Sequence, residues 1–382
     1  MQKTFTKELA TLQNVDFYGF SSIFPDPDSV LASQGRGISL YRELLHDPHV
    51  KACTMSRKSG VVAKPWQIEG EEGLKDVISA VFAKIDLPRL IQDILNAPLF
   101  GYQPIEVVWG FSEGLLAPVR LSAKPQEWFC FDRDSNLRLR TQKSLYEGEI
   151  VPERKFLCPK HNPAYTNPYG EKLLSSVFWP VSFKKGGIKF WVSFAEKYGM
   201  PWALGKIPRQ TLEEEAIRLR DALDSMVQDG VAVFDDACSV ELVESGSKAQ
   251  STQVYTELVN FMNDEISKAI LGQTLTTQLG NTGSYAATAV HQEVRQDILD
   301  SDVRLVETTV NQLIEWIVAL NYPSFEPPRF SFVKPLDIKA DLAARDKVLR
   351  DSGVVFSKEY FIRTYGFCEA DFELSGDSSV TN

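Results

Sequence analysis

Apolar residues recur at three- and four-residue spacing along several stretches of the chain, the pattern of helices that bury one face. From Ser39, an N-cap type of residue, Leu40, Leu44 and Leu45 share a face. After Pro48 a second helix is expected over about 50–59, then an extended piece at 61–68 carrying Pro65 and Trp66. Residues 73–85 place Leu74, Val77, Ile78, Val81 and Phe82 at helical spacing, and 87–97 reads as a further helix opened by Pro88. The period then changes. Residues 101–109 are β-branched and aromatic and predict a strand, with further strands at 118–122, 127–132, 137–140 and 155–158. The first 160 residues therefore predict an α+β domain, helices early and a mostly antiparallel sheet after them. The leading forty, with Pro25, Pro27 and Gly35-Arg36-Gly37, read as an arm, and 161–170 as a loop.

Helical spacing returns over 171–198, where Gly186-Gly187 is expected to break the helix and Gly199-Met200-Pro201 to end it. A small module follows. It comprises a strand at 202–207, a helix with Thr211 as N-cap and Glu214 at the capping-box position, strands at 231–234 and 239–243, and a polar linker at 245–250. Two long helices come next. Over 251–271, Val254, Leu258, Phe261, Met262, Ile266, Ala269 and Ile270 form one stripe. Residues 286–320 carry a similar stripe for about 50 Å at the helical rise. The 272–284 segment between them has no charged residue, is rich in Gly and Thr, and exceeds the usual helix–helix connection of about two to eight residues.

At 382 residues, two or three domains are expected. Hydrophobic residues make up 43% and charged residues 24%, an ordinary globular composition. The net charge of −10 argues against a protein that grips nucleic acid through phosphates, and leaves open one that surrounds DNA without holding it. Five widely spaced cysteines without a CxxC suggest neither a disulfide framework nor a zinc site, and fit a reducing cytoplasm. His46 and His49 flank Pro48, which argues for a turn rather than a shared metal-binding face. There is no phosphate-cradling GxxxxGK[ST], no GxGxxG and no GxSxG elbow. Glu213-Glu214-Glu215 reads as the acidic first turn of a helix, and Asp235-Asp236 as a solvated turn after a strand. No catalytic residue, metal site or cofactor is expected. No apolar run is long enough to span a membrane, and the N-terminus lacks the apolar core of a signal peptide, so the chain is expected to stay where it is made.

Four blocks carry a resemblance. They are Asp47-Pro48-His49-Val50 leading to Arg57 and the Trp66 strand, the 101–109 strand, Asn167-Pro168-Tyr169-Gly170 before the helix ending in Tyr198-Gly199-Met200-Pro201, and 266–274 with its Gly/Thr loop and residues 287–302. Together they span most of 40–320, and the chain resembles the Mu-like phage portal proteins; its C-terminal half is similar to the wider portal superfamily of tailed phages. The chain is shorter than that family's pattern, with a brief C-terminal tail. The resemblance implies a non-enzymatic ring, usually of twelve copies, at the capsid portal vertex, assembled in the host cytoplasm. It implies a wing formed by 1–170 and the long helix 286–321, stem helices at 171–200 and 251–271, and a clip at 201–250. A tunnel loop would lie at 272–285 and a crown-like region at 322–382, with small helices over 336–370. The implied partners are further copies of the chain, double-stranded DNA passing without sequence specificity, the terminase large subunit that hydrolyses ATP, and capsid, scaffold and head-tail adaptor proteins.

Under that resemblance Gln273, Thr274, Thr276, Thr277, Gln278 and Asn281 face the channel. Lys184, Lys185 and Lys189 meet phosphates from the first stem helix, although the three lysines also fit a solvated face. Phe183, Trp191, Phe194 and Phe261 are expected at subunit contacts; no basic groove accompanies them to make a base-stacking platform. Two other classes stay open: a virion or tail structural protein without a channel, and a divergent nucleic-acid-processing enzyme using Asp235 or Asp236.

Overall fold

The computed structural model describes residues 23–112, 114–198, 202–206, 212–229, 239–243, 248–274, 285–333, 340–366 and 372. The early helices begin where the caps require. In α1 (Ser29–Gln34) the Asp28 carboxylate accepts from the Val30 and Leu31 N–H groups, and Gly35 closes the helix in the left-handed region. Helix α2 (Leu40–Leu44) is followed by α3 (Pro48–Val62), whose N-cap is Asp47, with Pro48 in the first turn. Pro48 thus opens a helix instead of forming the expected turn between His46 and His49. Strand β1 (Trp66–Glu69), α4 (Glu72–Ala83) and α5 (Leu87–Ile94, capped by Asp86) come next. The helix expected over 87–97 stops at Ile94, and a separate turn, α6 (Ala97–Phe100), begins after Asn96.

Strands β2 (Ile105–Ser112) and β3 (Leu115–Ala123) form an antiparallel hairpin. Its register shifts between Val108 and Trp109, opposite Pro118, which has no N–H to give the ladder. After a 3₁₀ turn (Gln126–Trp128) come β4 (Phe129–Phe131), β5 (Leu137–Leu139) and β6 (Glu149–Ile150), joined in that order, while β7 (Phe156–Leu157) pairs with β2. Helix α7 (Leu173–Tyr198) runs unbroken through Gly186-Gly187, contrary to expectation. A Cβ on Gly187 would stand 2.7 Å from Leu258 Cδ2, so this glycine admits a neighbouring helix instead of ending its own.

Strand β8 (Trp202–Lys206) pairs antiparallel with β9 (Ser239–Val243), and α8 (Glu213–Asp229) lies between them in sequence. Helix α9 (Lys248–Leu271) begins inside the expected polar linker, and α10 (Tyr285–Asn321) is the longest element described. Thr211, the 231–234 strand, Asp235, Asp236 and residues 275–284 lie outside the described residues. Strand β10 (Arg329–Phe332), not anticipated from sequence, returns to pair with β1, Trp66 opposite Phe332. Asn311 of α10 accepts from the Phe330 N–H and donates to its carbonyl, which closes the outer edge of that strand.

Two apolar clusters result. One gathers α4, α5, β1, β2, β7 and β10 around Val306, Val310, Leu313, Ile314 and Ile317 of α10. The other gathers α1, α2, α6 and β4 with the start of α7 and the end of α9. Helix α3 contributes to both: Val50 and Cys53 to the second, Val61 to the first. Residues 333–382 form a separate compact unit with α11 (Ala340–Asp351) and α12 (Lys358–Tyr365). No apolar side chain is fully buried among its described residues. Its centre is Asp346, which accepts from Tyr360 Oη (2.9 Å), Tyr365 Oη (2.7 Å) and Arg345.

Candidate functional site at the ends of the 272–285 segment

Five buried polar side chains of the larger unit, Asp47, Arg57, Lys184, Ser267 and Asp302, gather where α9 ends and α10 passes. At the N-terminus of α3, Asp47 accepts from the backbone N–H groups of His49 (2.9 Å) and Val50 (3.1 Å) and forms a buried ion pair with Lys184 of α7, Nζ to Oδ2 2.9 Å. Burial alone would raise the Asp47 carboxyl. The Lys184 and backbone hydrogen bonds outweigh it and hold the group below the ordinary carboxylate range. Two residues on, in the first turn of α3, His49 Nε2 lies 2.7 Å from Ser267 Oγ of α9. Burial, then the nearby Lys184 charge, push this imidazole below its ordinary pKa against the raising effect of the Asn263 carbonyl.

Two turns further, Arg57 is buried and fully engaged. Its Nε and Nη2 donate to Asp302 of α10 at 2.7 and 2.9 Å, a bidentate fork, while Nη1 donates to the Ile270 carbonyl at 2.8 Å. That carbonyl belongs to the last turn of α9, where no helical N–H follows to satisfy it. The next residue but one, Gly272, takes φ +72°; a Cβ there would meet Ile298 Cδ1 at 2.7 Å and Val294 Cγ1 at 3.0 Å. One side of the chain's uncharged segment is thus pinned against α10 at its first residue.

The residues named from sequence fall into groups. Lys184 is corrected: it lies buried against Asp47 and has no free ammonium to offer a phosphate, whereas Lys185 and Lys189 are exposed. Trp191 and Phe194 pack within the chain on Tyr255 of α9, with Trp191 nearly parallel to it at 6.3 Å. Phe183 and Phe261 each stand 55% exposed. Gln273 is buried and Thr274 half-buried, while Thr276, Thr277, Gln278 and Asn281 lie outside the described residues. Sequence reading gave Arg57, Asp302, Asp47, His49 and Ser267 no role. A signal was present: Arg57, Asp302 and Lys184 each occupy a position on an otherwise apolar helical stripe, where a charge needs a partner. Among the described residues, no cluster of His, Cys, Asp or Glu could hold a metal ion, and no helix is long and apolar enough to cross a membrane.

Two of the sequence blocks, 47–57 and 266–274, therefore meet in space. The family described as the portal protein of Mu bacteriophage matches residues 38–367. The chain belongs to that family. Within it, the portal protein of Escherichia phage Mu is 30% identical over 235 residues, 61% of this chain and 45% of that protein. The Mu-like prophage FluMu protein gp29 of Haemophilus influenzae is 27% identical over 307 residues, 75% of this chain and 58% of that protein. This portal-family chain spans about half the length of the curated relatives it matches. Its α+β fold is also that of a chain in the neck of the native gene transfer agent particle computed with C12 symmetry. There the TM-score is 0.60 at 11% identity, covering 93% of this chain and 97% of that one. A chain in the virion of the native gene transfer agent particle gives 0.59 at 12% identity, covering 85% and 92%.

Proposed function

We propose that this portal-family chain forms a ring-shaped channel at the capsid vertex, through which DNA is packaged and ejected. The observation that carries the reading is the family match across residues 38–367, joined to a fold shared with a chain in a twelvefold particle neck. The ring consists of copies of this chain, twelve by analogy with that neck. Residues 1–170 and 286–321 form its wing, 171–200 and 251–271 its stem, 201–250 its clip and 322–382 a crown-like region. Phe183 and Phe261, exposed and apolar, supply contacts between stems. Double-stranded DNA passes without sequence specificity, the terminase large subunit docks first, and capsid, scaffold and adaptor proteins complete the vertex. The protein has no enzymatic step of its own. It assembles in the host cytoplasm and stays in the virion.

Segment 272–285 faces the channel in this reading. Its lack of charge supports that role, because Lys or Arg would hold each phosphate and make sliding strongly salt-dependent, whereas Gln and Thr make weak, exchangeable contacts. Thr276→Lys and Gln278→Lys test it. Both are expected to leave ring assembly intact and to reduce packaged DNA and phage yield. Wild-type genome length and yield with lysine at both positions would remove residues 272–285 from the channel.

A further inference from the structure

Helix α3 touches α7, α9 and α10, which meet at the stem–wing junction, through its cap, its first turn and its third. Its cap, Asp47, holds α7 through Lys184; His49 holds α9 through Ser267; Arg57 holds the α9 terminus and α10 together. At Gly60 an added Cβ would lie 2.9 Å from Leu299 Cδ2, so α3 and α10 are in close contact one turn beyond Arg57. The same helix joins the two apolar clusters end to end. A helix placed only for packing would not need two buried ionic links and a half-buried hydrogen bond of this kind, since well-packed apolar side chains serve stability equally well.

We propose that α3 is a strut coupling the two stem helices to the wing helix, and that Arg57 is the positioning residue that fixes where the 272–285 segment leaves α9. The guanidinium has the shape for this. A planar fork satisfies both carboxylate oxygens of Asp302 and leaves a third donor, Nη1, aimed at the Ile270 carbonyl. Its positive charge sits at a helix C-terminus, where the backbone dipole favours a cation. Through one side chain, a displacement of α10 is passed to the last turn of α9, and Gly272 follows because its left-handed backbone is seated on Val294 and Ile298 of the same helix. The inference rests on the portal reading only for its consequence on DNA; the coupling itself is a property of the chain.

The test uses the assembled full-length protein and two variants. Arg57→Lys keeps a cation beside Asp302 but has one head group, which cannot reach the carboxylate as a fork and the carbonyl together. Arg57→Lys with Asp302→Glu lengthens the acid to restore the ion pair and still omits the carbonyl contact. In both, amide exchange at Gly272, whose N–H closes the last helical bond to the Lys268 carbonyl, is expected to rise about tenfold or more. Exchange at Val310 and Ile314, in the α10 core, should change less than about twofold in the double variant. Packaged particles carrying the double variant should lose DNA faster by a similar factor. Equal acceleration at Gly272 and Val310 would mean that Arg57 serves only general stability, and no acceleration at Gly272 would mean that the carbonyl contact positions nothing; either overturns the proposal. If the unaltered chain forms no ring, the portal reading fails while the exchange pattern still decides the strut.

Discussion

Replacing Lys184 by Met separates a buried structural lysine from a channel lysine. Methionine keeps the length and apolar stem of the side chain but leaves the Asp47 carboxylate, itself buried, without its counter-ion. Breaking a buried ion pair by removing one partner costs roughly 3–5 kcal/mol. Asp47 would still accept from the His49 and Val50 N–H groups at the positive end of α3, which places the expected loss near the lower end, about 3 kcal/mol. Asp47→Asn in the same background removes the stranded charge while keeping an N-cap side chain, and should recover about half of that loss. The two changes together form a double-mutant cycle whose coupling should stand well clear of zero, because either single change strands a buried charge that the double change removes. A chain with several domains does not unfold in one step, so the assay should be local. Native-state amide exchange at Val50 and Cys53, in the cluster that α3 shares with α7, reads the opening free energy directly. A loss below about 1 kcal/mol for Lys184→Met would refute the desolvated pair and return Lys184 to the face that could meet phosphates.

The same junction sets a pH response. The folded chain prefers neutral His49, because its pKa lies below the ordinary 6.5. That contribution to stability is complete above 6.5 and is lost as pH falls through the lower folded value. Asp47, held below its ordinary 3.8, adds a second loss at more acid pH; His49→Gln should abolish the first step in a thermal-shift series and spare the second. Gly187→Val should destabilise by about 1–3 kcal/mol in chemical denaturation, since the added side chain meets Leu258, even though valine is a better helix former than glycine. Burial pushes the thiols of Cys53 and Cys158 up, Cys158 to about 12, so native protein at neutral pH should be alkylated there far more slowly than unfolded protein, as mapped by mass spectrometry.

Helix positions were legible in the sequence where one apolar face meets one core. The stripes over 251–271 and 286–320 correspond to α9 and α10 within three residues at each end, because three- and four-residue spacing is a local property. Pairings between distant segments were not legible. Strand β10 is four residues long and gains its identity from β1, more than 250 positions earlier, and from the Asn311 side chain; nothing within 329–332 announces either. The glycine pair at 186–187 departs from the expected helix break for a related reason: helix propensity disfavours glycine, but the contact that needs Gly187 comes from Leu258, which periodicity alone cannot place opposite it. Charge and the company of Lys185 and Lys189 point Lys184 toward DNA. Its spacing from Val177 and Val181 already put it on the buried stripe, where Asp47 answers it.

Imaging of the purified full-length chain by electron microscopy across a range of protein concentrations tests the central claim most directly. The account predicts closed rings with an open central bore wide enough for a DNA duplex, about 20 Å, and disruption of those rings by Phe183→Asp with Phe261→Asp. Particles that remain monomeric, or that associate without a bore at every concentration, would contradict it.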